Sequence, residues 1–518
     1  MMNSIAARLR GVGTSVGMES EDPVRFRAKV GPKRPAILEI KTGQSLNYCE
    51  LDLLVGRVAS MLAEATLGDD PSPRIAFVGR NSIAQLAVCF ACQRIGAIFV
   101  PINWRLNLVE ISMILDDCQP ALVIFEDEFQ AQIKVGSSTM LLSVDGEDGL
   151  NRRCQSYTPF APDFGSAERT CVLLYTSGTT GVPKGVMLSA RNLYYSALNF
   201  SFLCDVSTDS VVLCELPFFH TIGLVALART ALLMGGRLVI SDRFLPERTF
   251  GIMADPAIGV THYCGVPQIA SALRANQHWD PSALRRLKAI FMGGAPLPPV
   301  LIERFMDDGI ALVNGYGMSE AGTTCHMPLD SEQIMRHPGS IGYPAPLIDL
   351  RIVDADGQDV AEGEVGEILL RGPTVTSGYW NKPDLTEAAF WDGWYRSGDL
   401  ARSQDGVIYL ADRLKDMYIS GGENVYPAEV EAALVEHPGI AEVAIIGVAH
   451  PEWGEVGIAL IVASDKSLQE EEVHAHCVAR LSSFKRPKKV VFVDSLPRTA
   501  SGKVLKHVLR KNYDHSSI

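Results

Sequence analysis

The densest concentration of chemically useful side chains is the run Leu174-Tyr175-Thr176-Ser177-Gly178-Thr179-Thr180-Gly181-Val182-Pro183-Lys184-Gly185. Hydroxyls, backbone amides exposed by glycine, and one lysine are what a phosphate-cradling loop needs, because every phosphate oxygen wants a dipolar or charged donor. The run is not a Walker A loop, which places Lys and then Ser/Thr directly before a helix. Here Pro183 precedes Lys184, Gly185 follows it, and residues 186–188 continue as an apolar strand. The loop is therefore expected to join two strands, with the next helix starting near Ser189, a good N-cap residue. Hydroxyls at 176, 177, 179 and 180 around Gly178 and Gly181 exceed what an ordinary turn requires.

More motifs follow in order: Pro217-Phe218-Phe219-His220, Gly293-Gly294-Ala295-Pro296, Asn314-Gly315-Tyr316-Gly317-Met318-Ser319-Glu320, Trp394-Tyr395-Arg396-Ser397-Gly398-Asp399, Asp412-Arg413-Leu414-Lys415-Asp416, Ile419-Ser420-Gly421-Gly422-Glu423-Asn424 and Pro497-Arg498-Thr499-Ala500-Ser501-Gly502-Lys503. With the phosphate-loop run, this series resembles the adenylate-forming superfamily of acyl-CoA synthetases, adenylation domains and firefly-type luciferases, over nearly the whole chain. The chemistry that the resemblance implies explains the residue types. A carboxylate is a poor electrophile, so it attacks the α-phosphate of ATP, expels pyrophosphate, and becomes an acyl-adenylate that a thiol can open. Both reacting groups are anionic, so the site must neutralise them as they meet.

The resemblance places Thr176 to Lys184 on the β- and γ-phosphates, Thr176 among the catalytic positions, and Glu320 on the magnesium that bridges the phosphates, normal usage for a hard cation. It implies that Tyr316 stacks on adenine, with Asn314, Gly315, Gly317, Met318, Ser319 and the Gly293–Pro296 backbone (Gly294, Ala295, Pro296) around the nucleotide. Asp399 would take both ribose hydroxyls, with Arg413 beside it. Lys503 would reach from a small domain to the reacting carboxylate and α-phosphate. Lys415 occupies the hinge position, and Gly421, Gly422 and Glu423 would line the pantetheine tunnel, where absent side chains let a thin thiol arm pass. The acyl pocket is expected from Phe219, His220, Gly223, Val266, Met292, Met318 and Ala321, with His220 as its gate or as a packed ring. Ser319 keeps the hydroxyl of the Thr that many relatives carry.

Weaker signals fall away. Gly13-Thr14-Ser15-Val16-Gly17 matches a nucleophile elbow but lacks the flanking strand and helix. Cys89-Phe90-Ala91-Cys92 lies on an apolar helical face and reads as core. His474 and His476 sit two apart on an expected helix, where they do not share a face, so zinc is not expected.

The elements that must position these residues follow an α/β grammar. From residue 73, apolar strands at 75–78, 97–100 and 121–125 alternate with helical stretches at 83–94 and 108–117, as in doubly wound, mainly parallel sheets. The rhythm resumes from 170 to about 315. Between 339 and 412 short glycine-punctuated strands (350–353, 367–370, 407–410) indicate a β-rich subdomain. The expected fold is α/β: a large N-terminal domain, residues 1–412, of doubly wound α/β subdomains plus the β-rich one, and a small mobile α/β domain, residues 413–518. The 518-residue length suits several domains at roughly 100 to 200 residues each and rules out a small disulfide-stapled module.

Charge and cysteine usage narrow the class. The net charge of −13 disfavours a dedicated nucleic-acid binder, whose affinity comes largely from phosphate contacts. Residues 480–511 hold ten basic residues and one acid, either a cap facing a phosphate-bearing ligand or a solvated basic face. Eleven cysteines in mostly apolar surroundings read as reduced core residues of a cytoplasmic protein. Arg8 and Arg10, with no acid before Glu19, are also compatible with mitochondrial import. The longest apolar stretches, 84–101 and 221–240, are broken by Gln93, Arg94 and Arg229, short of the ~18 residues a membrane span needs. The chain ends in His515-Ser516-Ser517-Ile518, not the peroxisomal Ser-Lys-Leu.

Three activities compete: a CoA ligase using ATP, magnesium and CoA, a ligase loading a carrier protein, and a luciferase-like oxygenase. Relatives that activate amino acids usually place an Asp near the start of the pocket motif to pair the amine, and Phe218-Phe219-His220-Thr221 has none. That argues for an amine-free fatty, aryl or polycyclic acid. The last part of the chain, with Gly421-Gly422-Glu423-Asn424-Val425-Tyr426-Pro427, looks most like fatty and aryl acyl-CoA synthetases.

Overall fold

The computed structural model describes residues 19–513 apart from 67, 69, 163–164, 178–182, 295–296, 421–422, 466 and 499–502. The alternation beginning at Arg74 folds into a six-stranded sheet ordered Met140–Ser143, Leu122–Phe125, Arg74–Val78, Ile98–Ile102, Thr170–Ser177, Pro183–Ser189, parallel except for its last strand. Its central strands are buried along most of their length, as continuous apolar runs demand when both faces of a parallel sheet are covered. A nine-stranded sheet runs Tyr343–Pro344, Gly322–His326, Leu312–Met318, Ala289–Met292, His262–Gly265, Val211–Cys214, Arg237–Ile240, Pro35–Glu39, Ser45–Asn47. Its six inner strands are parallel, and antiparallel partners close both ends.

The two sheets share one core. Ile37, Val212 and Phe291 from the larger sheet join Phe77 and Val172 from the smaller, through Leu51, Leu86, Leu193 and Val225 on intervening helices. On the other face of the smaller sheet, helix Leu108–Cys118 packs Ile111 and Leu115 onto Val100 and Phe125. The residues 339–412 form the expected β-rich unit, an antiparallel sheet of Asp349–Val353, Gly366–Arg371, Trp394–Gln404 and Phe390–Trp391, with Val407–Arg413 added to the long strand. After a turn carrying Lys415, a fourth sheet is built from Tyr418–Ser420, Glu423–Val425, Ile440–His450, Gly454–Ala463 and Lys489–Phe492.

The polar residues that interrupt the two apolar stretches are buried and bonded. Arg94, 1% exposed, donates to Asp22, 0% exposed, at 2.8 Å and to Asp52 at 2.6 Å. Asp22 also caps helix Pro23–Val30 through the Arg25 amide at 3.0 Å. Gln93 accepts both Arg229 terminal nitrogens at 3.2 Å and donates to the Ser20 carbonyl at 3.0 Å. Arg229 closes a π-helical segment, Ile222–Arg229, a winding rare outside single turns and frequent near functional sites. Among the described residues no helix is long and apolar enough to cross a membrane. All eleven cysteines are free, and all but Cys49 are buried.

Removing one partner of a buried pair leaves the other charge uncompensated. Asp22→Ala is therefore expected to cost about 3 kcal/mol, read as a lowered urea midpoint. An unchanged midpoint would mean that Asp52 alone satisfies Arg94.

Candidate active site

The phosphate-loop run forms a hairpin: Thr170–Ser177 pairs antiparallel with Pro183–Ser189, Thr176 opposite Lys184 and Ser177 opposite Pro183. Gly178, Thr179, Thr180 and Gly181 at its tip lie outside the described residues, as do Ala295, Pro296, Gly421 and Gly422. Ser189 ends the hairpin as expected, its hydroxyl accepting from the Asn192 amide at 3.1 Å while the Asn192 side chain accepts from the Ser189 amide at 2.9 Å. Helix Ala190–Cys204 starts there. Lys184 reaches out of the hairpin, with its ammonium 5.4 Å from the ring centre of Tyr379.

Ligand-facing positions of open α/β sheets lie beyond the carboxyl ends of parallel strands. Gly265, Met292 and Asn314 are register neighbours at those ends, and Val266 and Gly293-Gly294 follow directly. Gly294 takes a left-handed φ of 80°, and a Cβ there would lie 3.8 Å from Ile222 and 3.9 Å from Val266. Asn314 donates to the Ser340 carbonyl at 2.8 Å, while its buried Oδ1 has no hydrogen-bond partner among the described residues. Such an acceptor suits the exocyclic amine of adenine.

The hairpin of Leu312–Met318 and Gly322–His326 carries Tyr316 and, in its turn, Glu320. Tyr316 donates through its hydroxyl to Asp399 at 2.6 Å, and the Arg413 guanidinium meets the other Asp399 oxygen at 3.0 Å. Asp399 and Arg413 are register partners on adjacent strands. Burial, with Asp399 beside it, holds the Tyr316 phenol well above its usual range. The Glu320 carbonyl accepts from the Thr376 amide at 2.7 Å, and its carboxylate accepts from the Tyr379 hydroxyl at 3.0 Å. Desolvation raises the Glu320 pKa, partly offset by hydrogen bonds from its own backbone amide and Tyr379. A half-buried carboxylate without a salt bridge among the described residues is a fitting donor for a hard divalent cation.

Lys503 belongs to the small C-terminal unit, yet the groups that set its pKa are at the ribose end of the site. Burial, then the Arg413 charge, lowers it to about 8, with Asp399 opposing and Lys415 adding. Lys415 lies exposed in the turn between the third and fourth sheets, its own pKa lowered mainly by burial of its stem. Glu423 is exposed on the strand paired with Tyr418–Ser420.

The expected acyl pocket assembles in part. Phe219 and His220 pack ring to ring at 4.9 Å. The buried His220 Nε2 has no hydrogen-bond partner among the described residues, and desolvation, with Arg105 adding, pulls its pKa to about 4. Val266 lies beside Gly294 and Met292 beside Gly265, while Met318 on the hairpin packs against the cluster that holds Ala321. Two positions differ from expectation. A Cβ on Gly223 would lie 2.3 Å from the Pro217 carbonyl, so this glycine lets the π-helical segment approach the motif backbone rather than line a pocket. Ala321, fully buried, packs with Ile341, Ala345 and Ile368 under the β-rich sheet. Sequence reasoning missed Ile222, which covers Gly293 and Gly294, and Tyr379, whose only local sign is the run Gly378-Tyr379-Trp380.

Gly322 fixes the Glu320 hairpin: its φ is +65°, and a Cβ would fall 2.1 Å from the Ser196 hydroxyl. Gly322→Ala should displace the turn and lower ATP–pyrophosphate exchange roughly 10²-fold, the effect of a misplacement of about 1 Å. Exchange at the parent rate would remove this constraint.

The sequence pattern of the AMP-binding enzymes matches residues 24–380, and that of the AMP-binding enzyme C-terminal domain matches residues 429–503. A feruloyl-CoA synthase of Amycolatopsis sp is 38% identical over 493 residues, covering 95% of this chain and 98% of its own. An indoleacetate–CoA ligase of Aromatoleum aromaticum is 37% identical, covering 90% and 93%. Among solved structures, ATP-bound MatB from Rhodopseudomonas palustris superposes with a TM-score of 0.88 at 30% identity, covering 95% of this chain and 99% of that one. Apo MatB gives 0.76 at 31% identity, covering 93% and 96%, so the arrangement described here is nearer to the ATP-bound form. The chain belongs to the AMP-binding enzymes, the adenylate-forming superfamily, in its acyl-CoA synthetase branch: ATP-dependent ligases that adenylate a carboxylic acid and pass the acyl group to CoA.

Proposed function

We propose that this acyl-CoA synthetase activates an amine-free, aryl-bearing carboxylic acid, with residues 1–412 holding ATP and acid and residues 413–518 moving between two half-reactions. The observation that carries the reading is the convergence of Lys503, from the small unit, on Asp399 of the large one and on Arg413 at the boundary between them. The aryl preference is supported by the feruloyl and indoleacetate relatives at 38% and 37% identity, and by Phe219 against His220 at the pocket motif. A Streptomyces coeruleorubidus ligase that loads fatty acid onto acyl-carrier protein is also 31% identical. A carrier thiol is therefore the second reading for the acceptor. Ten buried free thiols are best supported by a reducing compartment, the cytoplasm.

In the first half-reaction a carboxylate oxygen forms a bond to the α-phosphorus, and the bond from that phosphorus to the pyrophosphate oxygen breaks. Lys503 neutralises the charge that gathers where the two anions meet, Asp399 holds the ribose hydroxyls with Arg413 beside it, and Tyr316 holds adenine. Lys184 and the Thr176 hydroxyl hold the outer phosphates. Glu320 would hold the magnesium, which supplies charge neutralisation to the departing pyrophosphate. His220, neutral at pH 7 by its pKa of about 4, adds no charge to the acyl pocket. In the second half-reaction the thiol sulfur bonds to the acyl carbon, the bond to the AMP oxygen breaks, and the thiol proton leaves to solvent. Rotation at Lys415 brings Gly421, Gly422 and Glu423 in to guide the thiol arm.

Incubation with ATP, a thiol acceptor and a panel of ferulate-like, indole, long-chain and polycyclic acids tests the reading, with AMP and pyrophosphate expected from the aryl acids. ADP and phosphate as products would overturn it. Lys503→Ala should lose about 10²-fold or more in adenylation while still converting supplied acyl-adenylate and CoA to thioester. Equal loss of both steps would reduce Lys503 to a structural role.

The pH dependence has a definite sign. A lysine whose pKa is lowered to about 8 is a cation below that value and neutral above it. The kcat/KM for adenylation, which reports the free enzyme, should fall as pH rises through about 8. Lys503→Arg should remove that limb, since guanidinium stays charged.

A further inference from the structure

Segment 373–382 leaves the β-rich sheet and lies along Pro183–Ser189, the outer strand of the six-stranded sheet. The Met187 amide donates to the Gly378 carbonyl at 3.0 Å, the Trp380 amide to the Gly185 carbonyl at 2.8 Å, and the Thr376 hydroxyl to the Met187 carbonyl at 2.6 Å. The Asn192 side chain donates to the Pro373 and Val375 carbonyls at 2.9 and 2.8 Å. Glycines permit this approach: a Cβ on Gly185 would lie 3.0 Å from the Tyr175 ring and 3.3 Å from Trp380. Gly378 has φ +137°, and a Cβ there would fall 2.3 Å from Thr386, whose hydroxyl accepts from the Tyr379 amide at 3.0 Å. The segment is thus pinned to the strand that carries Lys184, and through the Thr376 amide to the turn that carries Glu320.

Tyr379 sits at the crossing, 8% exposed. Its hydroxyl donates to the Glu320 carboxylate at 3.0 Å and lies 3.2 Å from the Tyr395 hydroxyl. Its ring faces the Lys184 ammonium at 5.4 Å, within cation–π range. The two groups of opposite charge meant for the phosphate end of the nucleotide therefore both rest on one side chain. A lysine and a glutamate facing one partly desolvated space would attract each other strongly. A pair formed between them would spend both on each other instead of on a ligand.

We propose that Tyr379 is a positioning residue for adenylation: its hydroxyl aims the Glu320 carboxylate, and its ring holds Lys184 away from that carboxylate, keeping both available for metal-bound ATP. The inference rests on the reading of Glu320 and Lys184 given above and adds a residue outside the motifs of that reading. The two halves of the side chain separate by substitution. Tyr379→Phe keeps the ring and loses the hydroxyl. Tyr379→Leu loses both.

The test uses the full chain. For Tyr379→Phe, the free magnesium needed for half-maximal ATP–pyrophosphate exchange should rise by roughly tenfold, the scale of one lost hydrogen bond to a charged group. Manganese binding to the ATP-loaded protein without acid, followed by electron paramagnetic resonance, should weaken by a similar factor. The ATP KM at saturating magnesium should stay near the parent value in Tyr379→Phe and rise in Tyr379→Leu. Thioester formation from supplied acyl-adenylate and CoA should persist in both, which a general loss of folding would not allow. Tyr395→Phe, which leaves the Tyr379–Glu320 bond in place, should show no magnesium shift, and an equal shift there would overturn the inference. So would an unchanged magnesium requirement and manganese affinity in Tyr379→Phe while Glu320→Gln shifts both. No shift in Glu320→Gln would instead remove the reading of Glu320 itself.

Discussion

Asp399 is the point on which the separate sheets depend. One of its carboxylate oxygens accepts from Tyr316 on the nine-stranded sheet, the other meets Arg413 at the end of the strand that leads into the small unit, and its charge is felt by Lys503 beyond. The residue is 5% exposed, and an unpaired carboxylate at that depth would be costly. Its satisfaction requires the nucleotide hairpin and the β-rich sheet to be in register at once. The Ser397 hydroxyl fixes the local backbone, accepting from the Asp399 amide at 3.0 Å and donating to the Ile368 carbonyl at 2.7 Å. The β-rich unit and the ribose end of the site thus share one hydrogen-bonded network.

The phosphate end is built differently, from neutral hydroxyls around one carboxylate. Tyr379 donates to Glu320, the Tyr395 hydroxyl stands behind Tyr379 rather than on the carboxylate, and burial raises the pKa of both phenols, so they remain donors. Nearby, the Tyr175 hydroxyl donates to Asp117 at 2.6 Å, and Lys382 pairs with the same carboxylate at 3.0 Å. Asp117 thereby ties the first strand of the phosphate hairpin to the segment that carries Tyr379. At this end Lys184 is set against the ring face of Tyr379, with no salt bridge among the described residues.

Local features were legible because they are written in neighbouring residues. The strand expected at 75–78 is Arg74–Val78 and the helix expected at 83–94 is Ile83–Ile95, since an apolar run and a capping Ser82 need no distant partner. Proline before Lys184 and a strand after it foretold the hairpin and its capped exit. The π-helical winding of Ile222–Arg229 was not legible, because periodicity in an apolar stretch does not separate windings. Nor was the reason for Gly223, whose constraint is the Pro217 carbonyl. Ala321 and Tyr379 were misplaced or overlooked for a shared reason: their neighbours Ile341 and Glu320 are brought in by pairings that no local pattern encodes. The interruption of two apolar stretches by Gln93, Arg94 and Arg229 was visible, but not that Gln93 and Arg229 bond to each other.

The setting of Lys503 also bears on why the two half-reactions alternate. Burial and the charges of Arg413 and Lys415 disfavour its protonated form, with only partial opposition from Asp399 and Asp416. On the role proposed for it, the docked cation gains charge balance from the phosphates and carboxylate of the substrates. Expulsion of pyrophosphate removes most of that negative charge from the site, leaving an acyl-adenylate with a single phosphate charge. The interaction that favours docking is then weakest just after the chemistry that requires it is complete. A small unit joined by the exposed turn at Lys415 needs no separate signal to leave, because the bias toward the docked arrangement departs with the product.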